Sequence, residues 1–331
     1  MSMKHDIVHQ ALSGITDRDT IKNYKSSISD FCSWVKNEQG ISKLKDLKGR
    51  RTEIINDYSR YLQDKGYSSG TIHTYLAPIC KGLQTKMSQI EKPKRKAGDV
   101  TKRRIDGANL RGRREAQQDR YKRSVMLSQA TGARRSELAK ITYKDLMKVD
   151  ENGYRCVAIY GGKGGKNTYQ RLTPEQIVVC DGFIKQASES GISLTERVLM
   201  PSEISDHISY HTNRAERAVT SYHNYIKRIE TEGRETIKQE LVDRWNAMNS
   251  SKDQIFTRPD GTLTAQKKSR AKNYIKIIND ADKPYKLRGD NRRRALEEGR
   301  PVVYDRLALL AVSVFDLSHW RVDVTMTNYM L

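Results

Sequence analysis

Four short stretches of this chain hold residues suited to handling a phosphate. In ATGARRSEL, a Thr-Gly break precedes a helix that opens on Arg134. A guanidinium at a helix start can aim a planar pair of N–H groups at a phosphate, and the helix N-terminus adds its own positive field. Arg135 is the neighbour, but one helical step turns it about 100° away. In GGKGGKN, two lysines sit in a glycine-rich turn. A nucleotide phosphate loop needs a longer spacer before Gly-Lys and then Ser or Thr, whereas Asn167 follows Lys166 here. A lysine at such a tip can instead enter the DNA minor groove and deliver a proton. PYKLRGDNRRRA puts Arg288 at a second basic helix start, followed by Arg292, Arg293 and Arg294 for backbone contacts. DLSHWRVDVTMTNYML carries His319 and, ten residues on, Tyr329. A phenol of pKa ~10 is a weak nucleophile at neutral pH and needs help to attack.

The bulk composition narrows the partner. The 331 residues carry 61 Lys and Arg against 40 Asp and Glu, a net charge of +21. Such an excess points to a polyanion, most simply nucleic acid. Hydrophobic residues make up 36%, low but enough for a core in a chain of this length. The length suggests two domains. The four cysteines, Cys32, Cys80, Cys156 and Cys180, are too far apart in sequence for a metal knuckle and read as reduced, buried thiols of a cytosolic protein. MSMKHDIVHQ has no apolar signal region. No apolar run approaches the ~20 residues that would span a bilayer. The expected setting is therefore cytoplasmic, with no membrane partner.

The elements that would position the four stretches can be read from periodicity. Residues 1–91 read as an all-helical domain. Ile21, Tyr24, Ile28, Phe31 and Val35 form one apolar stripe after a cap at Thr16 or Asp17. Ile54, Ile55, Tyr58, Tyr61 and Leu62 form a second. Ile72, Tyr75, Leu76, Ile79, Cys80 and Leu83 form a third, capped by Ser68 or Ser69 and kinked or shifted by Pro78. Helices are expected from about residue 20, with no separate arm-binding domain ahead of them. The aromatic positions are read as core rather than as platforms for bases. Residues 92–114 carry ten basic and two acidic residues with Pro93 and three glycines, and read as a basic linker. Lys94, Arg95, Lys96, Lys102, Arg103 and Arg104 there, with Arg292, are candidate contacts to a phosphate backbone.

Residues 115–331 form the second domain. RYKRSVMLSQA and ARRSELAKI read as helices around the Thr-Gly break. Strands 155–160 and 168–172 flank the lysine turn. Residues 203–250 are helical and polar, and IFTRPDGTLT is a turn. HISYHTNRAERAVTSYH contains His207, His211 and His223. A histidine pair at i, i+4 can bind a metal, but no carboxylate or cysteine converges on it, so a solvated helix is the reading.

In that order, ATGARRSEL, GGKGG, KLRGDNRRRA and LSHWRVDVTMTNY resemble the tyrosine recombinase (phage integrase) family. Its signature is an Arg in TGxRxSEL, a Lys in a GKG hairpin, H-x-L-R, L-G-H and a closing Tyr. Each motif is weak alone; their order over residues 116–329 is specific. The resemblance implies a mainly α fold with a small β-hairpin sheet. Two domains would clamp DNA: a helical core-binding domain and an α+β tyrosine-recombinase catalytic domain. It implies Arg134 and Arg288 as the two catalytic arginines and Lys163 as the hairpin lysine, with Lys166 as runner-up. It also implies Tyr285 at the family's His position, His319 as the L-G-H histidine and Tyr329 as nucleophile. Glu137 matches the acidic residue of the first motif and is expected to support the site. The implied chemistry is attack of Tyr329 on a phosphodiester, giving a 3′-phosphotyrosine and a free 5′ hydroxyl. The arginines would bind the non-bridging oxygens, and Lys163 would protonate the leaving oxygen. No cofactor and no metal is called for. The implied partners are double-stranded DNA with inverted-repeat core sites, a homotetramer at synapsis, and accessory directionality or DNA-bending proteins.

The chain departs from the family pattern in four places. Tyr285 replaces His, which leaves the proton acceptor open. LSH replaces LGH. His319 to Tyr329 is one residue longer than usual, and an insertion near 203–250 separates Lys163 from Arg288. Only Met330 and Leu331 follow the tyrosine, so the insertion is read as a surface addition that either links subunits or merely elaborates the surface. The expected job is integration or excision of a mobile element. Xer-like resolution of chromosome or plasmid dimers, a type IB topoisomerase, and a catalytically inactive DNA-binding protein of the same fold are the alternatives.

Overall fold

The computed structural model describes residues 2–95, 109–162, 166–249 and 274–331. Lys96, Lys102, Arg103, Arg104, Lys163 and the IFTRPDGTLT turn lie outside the described residues. The described chain is mainly helical with two small antiparallel sheets. It divides into two compact units, residues 1–99 and 100–331.

The first unit packs four helices, α1 (Met3–Leu12), α2 (Arg18–Gln39), α3 (Arg51–Asp64) and α4 (Ser69–Gly82). Asp17 caps α2 by accepting from the Thr20 N–H at 2.8 Å. Ser68 caps α4 by accepting from the Thr71 N–H at 3.2 Å. Each satisfies a donor that the helix start leaves orphaned. Ile28, Phe31, Ile54, Tyr58, Ile72 and Ile79 are fully buried together, and Phe31 meets Tyr58 edge-on at 5.1 Å. Two expectations are corrected. A helix precedes residue 20: α1 buries Met3, Ile7 and Ala11, a four-residue spacing on a segment only ten residues long. Pro78 does not shift the start of α4, which is capped by Ser68 and runs through the proline to Gly82.

The second unit opens with α5 (Leu110–Ala116), α6 (Asp119–Thr131) and a single turn, α7 (Arg135–Leu138). The last residues of the basic segment are thus helical rather than linker, because Asn109 caps α5 by accepting from the Gly112 N–H at 2.6 Å. Strands β1 (Lys148–Val149), β2 (Arg155–Gly162) and β3 (Lys166–Arg171) form an antiparallel sheet in that order. Cys156 faces Arg171 and Ile159 faces Thr168, and the register then shifts before Gly162 meets Lys166. Gly161 sits at that bulge with φ 57°, and its N–H donates to Asn167 Oδ1 at 2.9 Å. Only glycine enters that region without steric cost.

There follow α8 (Pro174–Glu189), α9 (Tyr210–Glu232), α10 (Arg234–Asn249) and α11 (Tyr274–Asn279). Next come β4 (Tyr285–Lys286), α12 (Gly289–Glu297) and β5 (Val303–Tyr304), with β4 and β5 antiparallel. The chain closes with α13 (Arg306–Ala311), continued by a π-helical turn over Val312–Asp316, and α14 (Val322–Thr325), continued by another over Met326–Met330.

One core joins β2, α6, α7 and α8 through Leu127, Leu138, Val157, Ile159 and Phe183. The other joins α9, α10 and α13 to the last two turns, through Ala218, Leu241, Trp245, Leu309, Phe315 and Tyr329. The 203–250 segment is therefore not a surface addition. Tyr210, Ala215, Ala218, Tyr222, Tyr225, Ile237 and Leu241 bury a wall of the unit's own core. Its polar residues misled because several of them, Arg214, Arg217 and Arg244 among them, are buried in ion pairs or carbonyl contacts.

Candidate active site

Arg134 follows Gly132, which closes α6 with φ 64°. A Cβ on Gly132 would approach Arg217 Cδ at 3.0 Å, so glycine serves both the turn and the packing. Arg134 occupies the N-cap of α7, in extended conformation. Glu137 accepts from the Arg134 backbone N–H at 2.8 Å and from its Nη1 at 2.6 Å. Glu137 is buried, while the Arg134 side chain keeps about a quarter of its surface exposed. Burial pushes the Glu137 carboxyl up, but the Arg134 and Arg214 guanidiniums pull it further down, below its usual range. Burial likewise works against the Arg134 charge; Glu137 and Tyr329 outweigh it and hold Arg134 above its ordinary value. Because α7 is one turn long, the helix field expected from the sequence is small, and Glu137 does the orienting instead.

Tyr329 lies in the final π-helical turn, 7% exposed, and is hydrogen-bonded to the Arg134 side chain. His319 comes from the loop between the two π-turned helices, half-buried, its N–H donating to Ser313 O at 2.7 Å. Ser318 beside it has φ 58°. That left-handed backbone is a physical reason for glycine in L-G-H, and serine bears it here at a cost of about 1 kcal/mol. Ser313 Oγ donates to Leu309 O at 2.6 Å and meets Thr325 Oγ1 at 2.5 Å. This buried pair joins the helix that leads to His319 to the helix that carries Tyr329. Turns of π-helix shift side chains off the α-helical register and recur at functional sites.

Sequence reasoning missed a fifth member. Arg214 of α9 is fully buried, and its guanidinium lies 5.7 Å from the Tyr329 ring centroid. Nη1 donates to Gly132 O at 2.5 Å and Nη2 to Leu317 O at 2.9 Å. Burial and the charge of Arg134 push Arg214 below the usual arginine value. The signal was present: Tyr210, Arg214, Arg217, Ala218, Ser221 and Tyr225 share one helical stripe, and an arginine on a buried stripe has to be paired.

Arg134, Glu137 and Tyr329 thus meet at one corner of the unit, closed by Arg214, which also reaches the His319 loop through Leu317 O. Arg288 takes the N-cap of α12, exposed to solvent, with the exposed Arg292 one turn further on. Tyr285, half-buried in β4, has its phenol pushed up by burial and by Asp323, against Arg306 and Arg288. It therefore stays protonated at neutral pH, a hydrogen-bond donor rather than a base. Lys94 and Arg95 are exposed at the end of the first unit. His211 and His223 are exposed on α9, and among the described residues no cluster of metal-ligating side chains forms. No described helix is long and apolar enough to cross a membrane.

A second set of buried charges backs the corner. Arg171 on β3 donates to Asp150 at 2.6 Å and Glu240 at 2.5 Å, and lies over Phe315 at 3.5 Å and Tyr154 at 4.1 Å. Arg217 pairs with Asp316 at 3.2 Å and donates to Arg171 O. Arg244 pairs with Asp150 at 2.8 Å and Glu151 at 2.5 Å.

No family model and no curated protein matches this chain. Among solved structures, a crystal structure of XerA recombinase is similar over 67% of this chain and 84% of that chain, at 18% identity and a TM-score of 0.24. At that score the likeness is too slight to carry fold or function.

Proposed function

We propose that this chain is a tyrosine-type site-specific DNA recombinase, a strand transferase that cuts and rejoins duplex DNA through a 3′-phosphotyrosine. The observation that carries the reading is the pairing of Arg134 with Tyr329, with Glu137 orienting the arginine from a buried position. A cation that touches the attacking oxygen and still has exposed surface can hold a phosphate beside its nucleophile. Arg288 is the second phosphate cation, supported by its exposure at a helix start. Tyr285 adds a neutral donor, His319 a hydrogen bond, and Lys163 the proton for the departing 5′ oxygen. The ester keeps the energy of the broken bond, so rejoining takes no nucleotide and no metal. The +21 charge and the exposed Lys94, Arg95 and Arg292 suit a DNA backbone. Integration or excision of a mobile element, as a tetramer on inverted-repeat sites with accessory DNA-bending proteins, is the biological role we assign. In this reading residues 1–91 are the core-binding domain and residues 115–331 the catalytic domain.

One observation favours a second reading, a DNA-binding protein of this fold without catalysis. Tyr329 is 7% exposed, so a phosphate meets it only after the last turn moves. The test separates the two. A duplex selected for binding is nicked near the site centre and incubated with wild type and Tyr329→Phe. An SDS-stable adduct from wild type alone, mapped to Tyr329, supports the recombinase. Tight binding with no adduct from either protein supports the second reading.

A further inference from the structure

We propose that the segment joining α2 to α3 is a face that binds the phosphate backbone of duplex DNA. No residue of it takes part in the Arg134–Tyr329 site, and the inference rests on the reading of the chain as a DNA-acting protein. KLKDLKGRR at 43–51 holds five cations and one acid. Such a run is commonly a solvated loop, but here the backbone is fixed. Leu44–Leu47 form a 3-10 helical turn. Asp46 N–H donates to Lys43 O, Lys48 N–H to Lys45 O and Arg50 N–H to Leu47 O, each at 3.1 Å. Leu47 is fully buried and Ile41 nearly so, which pins the turn to the core of the unit. Cations on a pinned turn lose less freedom on binding than cations on a loose tail. Lys43, Lys45 and Lys48 are exposed, and no described carboxylate pairs with any of them. Arg50, by contrast, is paired with Glu53 at 2.8 Å.

The lysines adjoin a cleft. Leu44, between Lys43 and Lys45, lines a cavity of about 450 Å³ together with His5, His9, Arg51 and Leu83. Arg51 Nη1 donates to Leu83 O at 3.0 Å, while its Nε is buried and has no hydrogen-bond partner. Asp6, on the same wall, is paired with His5 Nδ1 at 3.5 Å. A spare guanidinium N–H beside two imidazoles suits a phosphate oxygen, which accepts a hydrogen bond and carries charge. An acidic protein could also be drawn to such a face. Protein interfaces, however, are poor in lysine and rich in aromatic anchors, and no Tyr, Trp or Phe lines this cleft. Point-charge cations without an aromatic anchor fit a phosphate backbone better. Contacts of this kind carry no sequence information, so the face supplies affinity and not recognition. Each lysine that neutralises a phosphate adds about one to the salt dependence of binding.

The experiment measures binding of the full-length protein to the selected duplex and to a scrambled one over a salt series. Wild type is compared with the triple variant Lys43→Gln, Lys45→Gln, Lys48→Gln. The control is Lys185→Gln, Lys227→Gln, Lys276→Gln, which removes the same charge from exposed positions scattered over the second unit. The slope of log affinity against log salt should fall by about 3 in the first triple and by less than about 1 in the control. The loss should be equal on both duplexes. In parallel, wild type is acetylated with and without duplex and mapped by mass spectrometry. Lys43, Lys45 and Lys48 should be shielded by DNA and the three control lysines should not. That readout needs no variant, so it stands even if the triple fails to fold. An unchanged slope, or labelling of the three lysines that duplex does not alter, overturns the proposal. So does loss of polyglutamate binding with duplex binding kept, which would make the face a dock for an acidic protein. Adduct formation at saturating duplex is scored separately. An adduct with an unchanged slope defeats this face alone, and the expected slope and shielding without an adduct defeat the phosphotyrosine reading alone. Wild type that binds no duplex defeats both.

Discussion

Glu137→Gln changes one charge and almost no volume in the most constrained part of the site. Gln can still accept from the Arg134 N–H through its amide oxygen, at the place where Glu137 now accepts at 2.8 Å. What it cannot do is balance Arg134, 2.6 Å away, or the fully buried Arg214. Taking one partner out of a buried ion pair strands the other charge and costs about 3–5 kcal/mol. Arg134 keeps some access to water, which places the expected loss at the low end, about 3 kcal/mol. For a unit of this size that corresponds to a fall in melting temperature of roughly 6–12 °C. The sign of the pH dependence follows from the depressed Glu137 carboxyl. A carboxyl with a lowered folded pKa contributes stability that is complete above its unfolded value of ~4.3 and is lost as pH falls through the folded value. The advantage of wild type over Glu137→Gln should therefore be flat from neutral pH to about 5 and shrink below about 4. Urea titrations of both proteins over a pH series measure it. A difference under about 1 kcal/mol at pH 7, or one that survives unchanged at pH 3, would refute the argument that Glu137 is held ionised by two guanidiniums.

Three other outcomes are expected. Ser318→Gly relieves the left-handed backbone at φ 58° and should raise stability by about 0.5–1 kcal/mol in urea unfolding, a gain that vanishes if serine is not strained there. Thr325→Val removes the buried partner of Ser313 and should cost about 1–3 kcal/mol; adduct formation should slow as well, since the pair joins the His319 and Tyr329 helices, and a normal rate would show that the two move independently. Burial pushes the Cys156 and Cys180 thiols up to about 12 and those of Cys32 and Cys80 to about 11, so an aromatic disulfide reagent at pH 8 should titrate all four only on unfolding.

The parts of the fold that were legible are those where local chemistry decides. Asp17 and Ser68 cap their helices because short oxygen side chains reach the orphan N–H groups whatever lies around them. The β2–β3 hairpin follows from two short strand-forming runs flanking a glycine-rich turn. Elements that depend on distant packing were not legible. α1 is short and its apolar residues form only a weak stripe, and α5 lies hidden in a run of arginines. In the site, Arg134, Glu137, His319 and Tyr329 could be named from their motifs. Arg214 was missed although its buried stripe on α9 was there to read, because its partners are backbone carbonyls 82 and 103 residues away, and a carbonyl has no residue type to betray it. The same blindness turned the polar 203–250 segment into an appendage, when its arginines are internal.

Arginine thus has two uses in this chain, and the net charge of +21 does not distinguish them. Exposed guanidiniums such as Arg288 and Arg292 are available to a polyanion. Buried ones, Arg171, Arg214, Arg217 and Arg244, are committed to carboxylates and carbonyls. Buried ion pairs add little net stability over an apolar core, but they tolerate few alternative arrangements. Their location matters here. Arg171 lies in β3 and stacks on Phe315, while Arg217 holds both the Arg171 carbonyl and Asp316. Phe315 and Asp316 lead into the loop of His319, and β3 leads back to the hairpin turn. A shift of the hairpin therefore cannot leave the His319 loop behind without separating buried charges, at several kcal/mol. Strand β3, the His319 loop and, through Arg214, the Arg134 loop are thus tied to one another by buried arginines.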